Sequence, residues 1–379
     1  MEFNYDRRQL MALAYVASLA PMLRLVPRYV SRISGSTAWL SPLVALPVLI
    51  LFVIFLNGYM KQCQSGEGLG ELILRTDGKI IGTAALLLTA AFLVLCSGFI
   101  LLTGADRLIS TIYPASGPWF FSIIMLTLGT IAALGPFKAL PRSARIFAPV
   151  ITVVLVIVLA FALYKADPSH LLPIRKAEPT KLLYSSLAVI EVYGGMLTYT
   201  AFMEWQSKPG GGRVKGHIVW LCLICLLVSA ICAAVIGNYG AELTSRFSHP
   251  FFSMIRDVEL FNTIERIEAV VVALWVLPDF AIYSLMLSAA AHILRISFGF
   301  KPESTDVPML QMSNGRWLIP VVSALTIASA ALISNSSISN ETFSQFIVPG
   351  ANIAIVFILL PICRVVALIR SSGKQYPTE

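Results

Sequence analysis

The chain has 379 residues, 57% of them apolar and only 13% charged, with a mean hydropathy of +0.80. Soluble domains carry about 25% charged residues, so this composition excludes a water-soluble protein, and its hydrophobicity excludes a disordered one. The net charge of +8 has no run of basic residues interleaved with aromatics behind it, so nucleic acid is not an expected partner. Excess Lys and Arg instead suit the loops of a membrane protein.

The apolar residues come in long continuous runs, which argues against a β-barrel and for an all-α polytopic membrane protein. A span needs about 20 mostly apolar residues. Ten are expected, at roughly 9–31, 38–60, 79–105, 118–135, 142–165, 182–204, 215–238, 264–297, 316–335 and 344–370. With the N-terminus placed inside, more than half of the 28 Lys and Arg fall on that side, which predicts cytoplasmic termini. Lys165, Arg175, Lys176 and Lys181 crowd one outer loop against that trend.

Residues 1–8 are polar, and the apolar stretch after them is interrupted by Pro21 and Arg24. It lacks a small-residue cleavage site and reads as the first membrane helix, not a signal peptide. Within it, Ser18-Leu19-Ala20-Pro21 sits mid-run, where proline removes a donor and crowds the preceding turn. Arg24 and Arg28 follow on one face. They are placed to attract a carboxylate or pair with Glu191, although Arg28 also suits snorkelling to the surface. Asp106 and Arg107 end the third span and read as interfacial.

The sixth span carries Glu191, Tyr193, Gly194 and Gly195 near its centre. Paired glycines weaken a helix and leave room for close approach. Glu191 is an expensive residue at membrane depth. It suits a ligand amine or a proton, or the capping of backbone N–H groups freed by a break. The 207–213 linker SKPGGGR is no P-loop, since no Lys-Ser or Lys-Thr follows. Cys222-x-x-Cys225 lies inside a span without a second pair, so buried thiols are expected there, not a metal site. The segment 239–263 is partly amphipathic and suits a short helix or hairpin over a vestibule. In the eighth span Asp279 follows Pro278, whose ring frees a carbonyl. Asp279 is a candidate for ion or proton binding or gating together with Arg24 and Tyr283, or else a partner for Tyr283 alone. Trp275 and Tyr193 suit either a pocket wall or helix packing.

Ten spans divide into five plus five within a single transmembrane domain, residues 1–379. An odd number per half inverts the second repeat (180–379) relative to the first (1–165). Interrupted helices at matching positions, the first and the sixth, point to a midplane ligand site formed by Ser18, Leu19, Ala20, Pro21, Glu191, Tyr193, Gly194 and Gly195. No catalytic set, metal cluster or nucleotide loop is visible, so neither an enzyme nor a cofactor is expected.

The stretch RRQLMALAYVASLAPMLRLVPRYVSRISGSTAWLSPLVA, with Pro27 and Ala38-Trp39-Leu40-Ser41, resembles the opening of the spore germination permease family. So does the segment with Pro250-Phe251-Phe252, Glu265-Arg266-Ile267-Glu268 and Trp275. These are the B subunits of nutrient germinant receptors, within the amino acid–polyamine–organocation transporter superfamily. The resemblance implies a LeuT-like ten-helix inverted repeat with broken first and sixth helices. It also implies an amino-acid-like germinant, an A-type membrane subunit and a C-type lipoprotein as partners, and the spore inner membrane as location. Many members have a lysine two residues after the phenylalanine of the eighth span. Here that position is Ile282, so no role of that lysine carries over. The leading expectation is a receptor subunit that binds a germinant between the first and sixth helices. The alternative is an autonomous amino-acid or amine transporter driven by protons or sodium.

Overall fold

A computed structural model describes residues 7–64, 67–111, 117–136, 138–172, 178–204, 213–257, 271, 274–300, 315–336 and 342–372. Among them there are helices and turns and no strand, as expected where each backbone must satisfy its own hydrogen bonds in hydrocarbon. The helices are α1 (Arg7–Ser34), α2 (Ser41–Met60), α3 (Leu69–Asp77), α4 (Lys79–Thr111), α5 (Pro118–Leu134), α6 (Ala139–Lys165), α7 (Pro179–Phe202), α8 (Arg213–Arg246), α9 (Pro250–Asp257), α10 (Val276–Ser297), α11 (Leu318–Ser334), α12 (Val348–Ile353) and α13 (Leu360–Ser372). α12 and α13 belong to one last span, whose remaining turns, Phe343–Ile347 and Ala354–Leu359, are wound as π-helix.

A helix lies over every one of the ten expected spans. The start of the eighth, 264–270, is outside the described residues, and so is Glu265-Arg266-Ile267-Glu268. By length and composition, six helical segments among the described residues can cross a membrane. The first of these, Arg7–Met60, contains both α1 and α2. Two further apolar helices, Pro118–Leu134 and Leu318–Ser334, are shorter.

α1 is the hub. From Leu10 to Leu23 almost every side chain is buried, because α6, α7, α8 and α10 pack around it. A helix that is apolar on all faces has no water-facing stripe and suits this central position. The α1–α2 corner is a tight turn, Gly35–Leu40. Hydroxyls tie it down. Ser185 of α7 bonds both Ser34 and Ser41, at 2.8 and 2.7 Å. Ser229 of α8 donates to the Trp39 carbonyl at 2.6 Å.

Two of the expected features differ. α1 passes through Pro21 and Pro27 without interruption, and α7 passes through Gly194 and Gly195 likewise, so neither helix is broken. The physical reason is packing. The hydroxyl of Ser18 donates to the Ala14 carbonyl one turn back, so it stays within its own helix near the proline. The glycines of α7 give up side chains so that the last span can approach. A Cβ on Gly195 would lie 2.8 Å from Asn352 Nδ2, and one on Gly194 would lie 3.3 Å from the Phe357 ring.

The expected cytoplasmic loop after α2 contains α3. Glu71 closes its first turn, its carboxylate accepting the Gly68 N–H at 3.0 Å. Gly78, at φ +83°, then turns the chain sharply into α4. The segment 239–263 divides between the end of α8, which bends at Gly240 (φ +73°), and α9. Its residues 258–263 lie outside the described set.

Candidate functional site

Glu191 sits near the middle of α7 and is 8% exposed. Its carboxylate meets the last span, where Asn352 Nδ2 donates to Glu191 Oε2 at 2.7 Å and to the Glu191 carbonyl at 2.8 Å. The Asn352 Oδ1 in turn accepts the Tyr199 hydroxyl at 2.7 Å. Asn352 therefore uses both ends of its amide to bridge two helices. It reaches that position because Gly195 has no side chain beneath it. It also lies in α12, between the two π-wound stretches. Such insertions misalign successive turns and recur at functional sites.

A cavity of about 40 Å³ opens beside Glu191. Its walls include Leu25, Arg28 and Tyr29 of α1 and Gln345 and Pro349 of the last span. A volume of this size admits a water and excludes an amino acid. The arrangement is a buried acceptor facing a cation-bearing wall, with a conformationally irregular helix on its third side.

The expected site residues separate in space. Glu191 lines the cavity. Ser18, Leu19, Ala20 and Pro21 are buried in α1, one to two turns from the α1 residues that line it. Gly194 and Gly195 form the seat of Phe357 and Asn352. Tyr193 is fully buried and lies toward Tyr15 and Cys225, away from the Glu191 carboxylate.

The second group lies around α10. Asp279 is in the first turn of α10 and bonds Arg107 of α4 at 2.5 Å. Both side chains are 1% exposed, so Arg107 is a buried residue and not the interfacial one its place at a span end suggested. The Arg107 guanidinium also stacks over Phe252, at 5.0 Å from the ring centroid. Phe252 and Phe251 pack in turn on Trp275, with centroids 5.6 and 5.9 Å apart. The aromatic residues of the α9 segment thus close over the ion pair. Tyr283 donates to the Ile100 carbonyl at 3.0 Å and does not bond Asp279. Arg24 is 1% exposed and does not bond Glu191, whose side-chain partner is Asn352.

Sequence reasoning missed Asn352 and Gln345, and read Arg107 only as interfacial. Asn352 had a readable signal, since it is a lone amide in an apolar run and costs free energy there unless it is bonded. Cys225 is a buried free thiol and Cys222 a half-buried one; no cluster of potential metal ligands occurs among the described residues.

Comparison with known proteins agrees with this architecture. No curated protein is recognisably similar in sequence. Among solved structures, a substrate-bound, outward-open Na+-coupled sialic acid symporter superposes with a TM-score of 0.64 at 13% identity, covering 93% of this chain and 79% of the symporter. MhsT in complex with L-phenylalanine superposes with a TM-score of 0.62 at 15% identity, covering 97% and 89% respectively. These establish the LeuT-like fold, and the apolar helices make the chain a multi-pass membrane protein. The family model described as spore germination protein matches residues 7–338, and the chain therefore belongs to the spore germination protein family.

Proposed function

We propose that the chain is the membrane subunit of a spore nutrient germinant receptor. It binds a small amino-acid-like germinant at the junction of α1, α7 and the last span, and it signals to an A-type membrane subunit and a C-type lipoprotein. Its location is the spore inner membrane, with both termini cytoplasmic. The observation that carries this reading is Glu191. It is a carboxylate deep in a membrane helix, held by Asn352 and facing a cavity against α1. A carboxylate at that depth needs a purpose, and the ammonium of an amino acid satisfies it. The solved neighbours hold small molecules, phenylalanine in one and a sialic acid transporter's substrate in the other, within the same fold.

The small volume of the cavity adds a mechanism. A germinant enters only if the last span or the outer part of α1 moves, so the bound and free conformations differ. A ligand signals only through such a difference in affinity between two states. The π-wound turns on either side of Asn352 are the natural place for the movement.

The test uses purified chain in nanodiscs, titrated with a panel of L-amino acids by thermal shift. Glu191→Gln is expected to weaken the response about tenfold or more, the worth of one hydrogen bond to a charged group, with folded protein retained. Unchanged affinity would reduce Glu191 to a packing group. Saturable, gradient-driven amino-acid uptake by this chain alone in proteoliposomes would favour the autonomous transporter instead.

A further inference from the structure

The short helix α9 packs on α1, α6 and α8 and is fastened to α4 at both ends. At its far end Arg256 Nη2 donates to the Ser110 carbonyl at 3.2 Å. There too the Asp257 carboxylate accepts the Tyr239 hydroxyl of α8, and its carbonyl accepts Lys165 Nζ of α6. In between, Phe252 covers Arg107, and Met254 and Ile255 are buried. At the near end stands His249. Its carbonyl accepts the Ser253 N–H at 3.0 Å and so starts the helix. Its side chain is buried, and Nε2 lies 3.1 Å from Asp106 Oδ2 of α4. An ionised carboxylate only accepts hydrogen bonds, so Nε2 carries the proton of that contact. Nδ1 then holds a lone pair, is buried and makes no hydrogen bond.

A second proton on this ring has only Nδ1 to go to. There it makes a charged N–H that is buried without an acceptor, which costs more than a neutral unpaired group. The N-terminus of α9 also disfavours positive charge. Of the charged groups facing the ring, Arg24 of α1 and Arg107 of α4 repel an imidazolium and Asp106 attracts it. Burial, joined by the two arginines, outweighs Asp106 and holds the imidazole below the ordinary histidine range. We propose that His249 is a proton-operated latch: neutral, it ties α9 to Asp106 as a closed lid over the Arg107–Asp279 pair, and a proton on Nδ1 releases the lid. In the released state the ring is hydrated and takes a proton near pH 6.5, which the closed state resists. The latch therefore contributes fully above that pH and is lost as the pH falls below it. With the termini cytoplasmic, as proposed above, it senses the acidity of the outer compartment. It does not rest on the germinant reading, because it needs only the contacts of α9.

The experiment follows hydrogen exchange of the α9 amides in the full chain in nanodiscs, from about pH 8 to about pH 5, corrected for the intrinsic rate. Protection is expected to hold above about pH 6.5 and to fall below it, by up to about tenfold per pH unit, the limit for one proton. His249→Gln presents an amide N–H to Asp106 but takes up no proton, so its α9 protection should stay level over the same range. Three results would overturn the proposal. One is α9 protection in the parent that acid leaves unchanged. Another is protection that rises in acid, which would mean that an imidazolium–Asp106 pair tightens the lid. The last is an equal fall in the parent and His249→Gln, which would place the titrating group elsewhere. Should His249→Gln fail to fold, Asp106→Asn serves in its place. Its amide oxygen still accepts the Nε2–H, and the acid release should persist. A release that vanishes with that carboxylate would belong to Asp106 and also counts against the latch.

Discussion

Arg107 and Asp279 show how a residue's role depends on its partner. In sequence they are 172 positions apart, and neither marks the other. Together they form a fully buried pair that the aromatic ring of Phe252 covers. Two ions taken out of water regain little net stability from each other, but one left alone is severely destabilising. Arg107→Met is therefore expected to cost about 3–5 kcal/mol, and the double variant Arg107→Met/Asp279→Leu to recover most of it. Thermal unfolding of the three proteins in one detergent checks this, and additive losses in the double variant would refute the coupling. Glu191 was legible from sequence because a carboxylate in an apolar run stands out by its insertion cost. Its partner Asn352 was harder to read. A single amide costs less than a charge, and the reason for its place, the bare backbone of Gly195, lies on another helix.

At the scale of elements, the ten apolar helices followed from hydrophobic length, and their packing did not. α3 shows the difference. Nine residues are too short to register as a span, yet the helix docks through Glu71, whose carboxylate meets His292 of α10 at 3.0 Å. Arg295 Nη2 bonds the other ring nitrogen of the same histidine at 3.0 Å. Burial pushes the Glu71 carboxyl upward, but His292 and the N–H groups of Gly68 and of Glu71 itself more than offset this. The result lies below the ordinary carboxylate range. A depressed carboxylate contributes stability above its unfolded value, near 4.3, and that contribution is lost as pH falls through the folded value. Docking of α3 on α10 should thus hold at neutral pH and loosen as acid protonates the Glu71 carboxylate. Hydrogen exchange of the Leu72 and Ile73 amides, corrected for intrinsic rate, should show this acid loosening. In Glu71→Gln the pH dependence should flatten. An equally steep dependence in that variant would assign it to another group. The uninterrupted α1 and α7 teach the same lesson from the other side. Proline and paired glycine were legible as irregularities. Whether they break a helix is decided by what packs against it, here Asn352 and Phe357 against the glycines.

For the whole molecule, one hydrophobic core runs from Leu10 to Ala367 and joins residues of nearly every helix. The surface facing outward is apolar too, with Leu51, Ile80, Val153, Leu226 and Leu332 all exposed. In water this would aggregate, and in a bilayer it is solvated. The orientation expected from loop charges has a direct check. Lys61 follows α2 and Lys165 ends α6, and both are exposed. With cytoplasmic termini, a cysteine at position 61 should react with an impermeant maleimide only from the inner face, and one at 165 only from the outer face. The test is best made in a background lacking Cys63, the partly exposed native thiol nearby. Labelling of both from one face would contradict the odd number of spans between them.

The sequence by itself determined the solvent, the helical class, the number of crossings and the family, because each depends on composition and hydrophobic length along the chain. It also marked Glu191, since one carboxylate in hydrocarbon is costly wherever its neighbours lie. Only the tertiary structure decided which groups share a site. It joined Glu191 to Asn352 and Asp279 to Arg107, and it seated the last span on two glycines. Those pairings are set by distances across helices, and distance between helices is a property of packing that no local pattern of residues encodes.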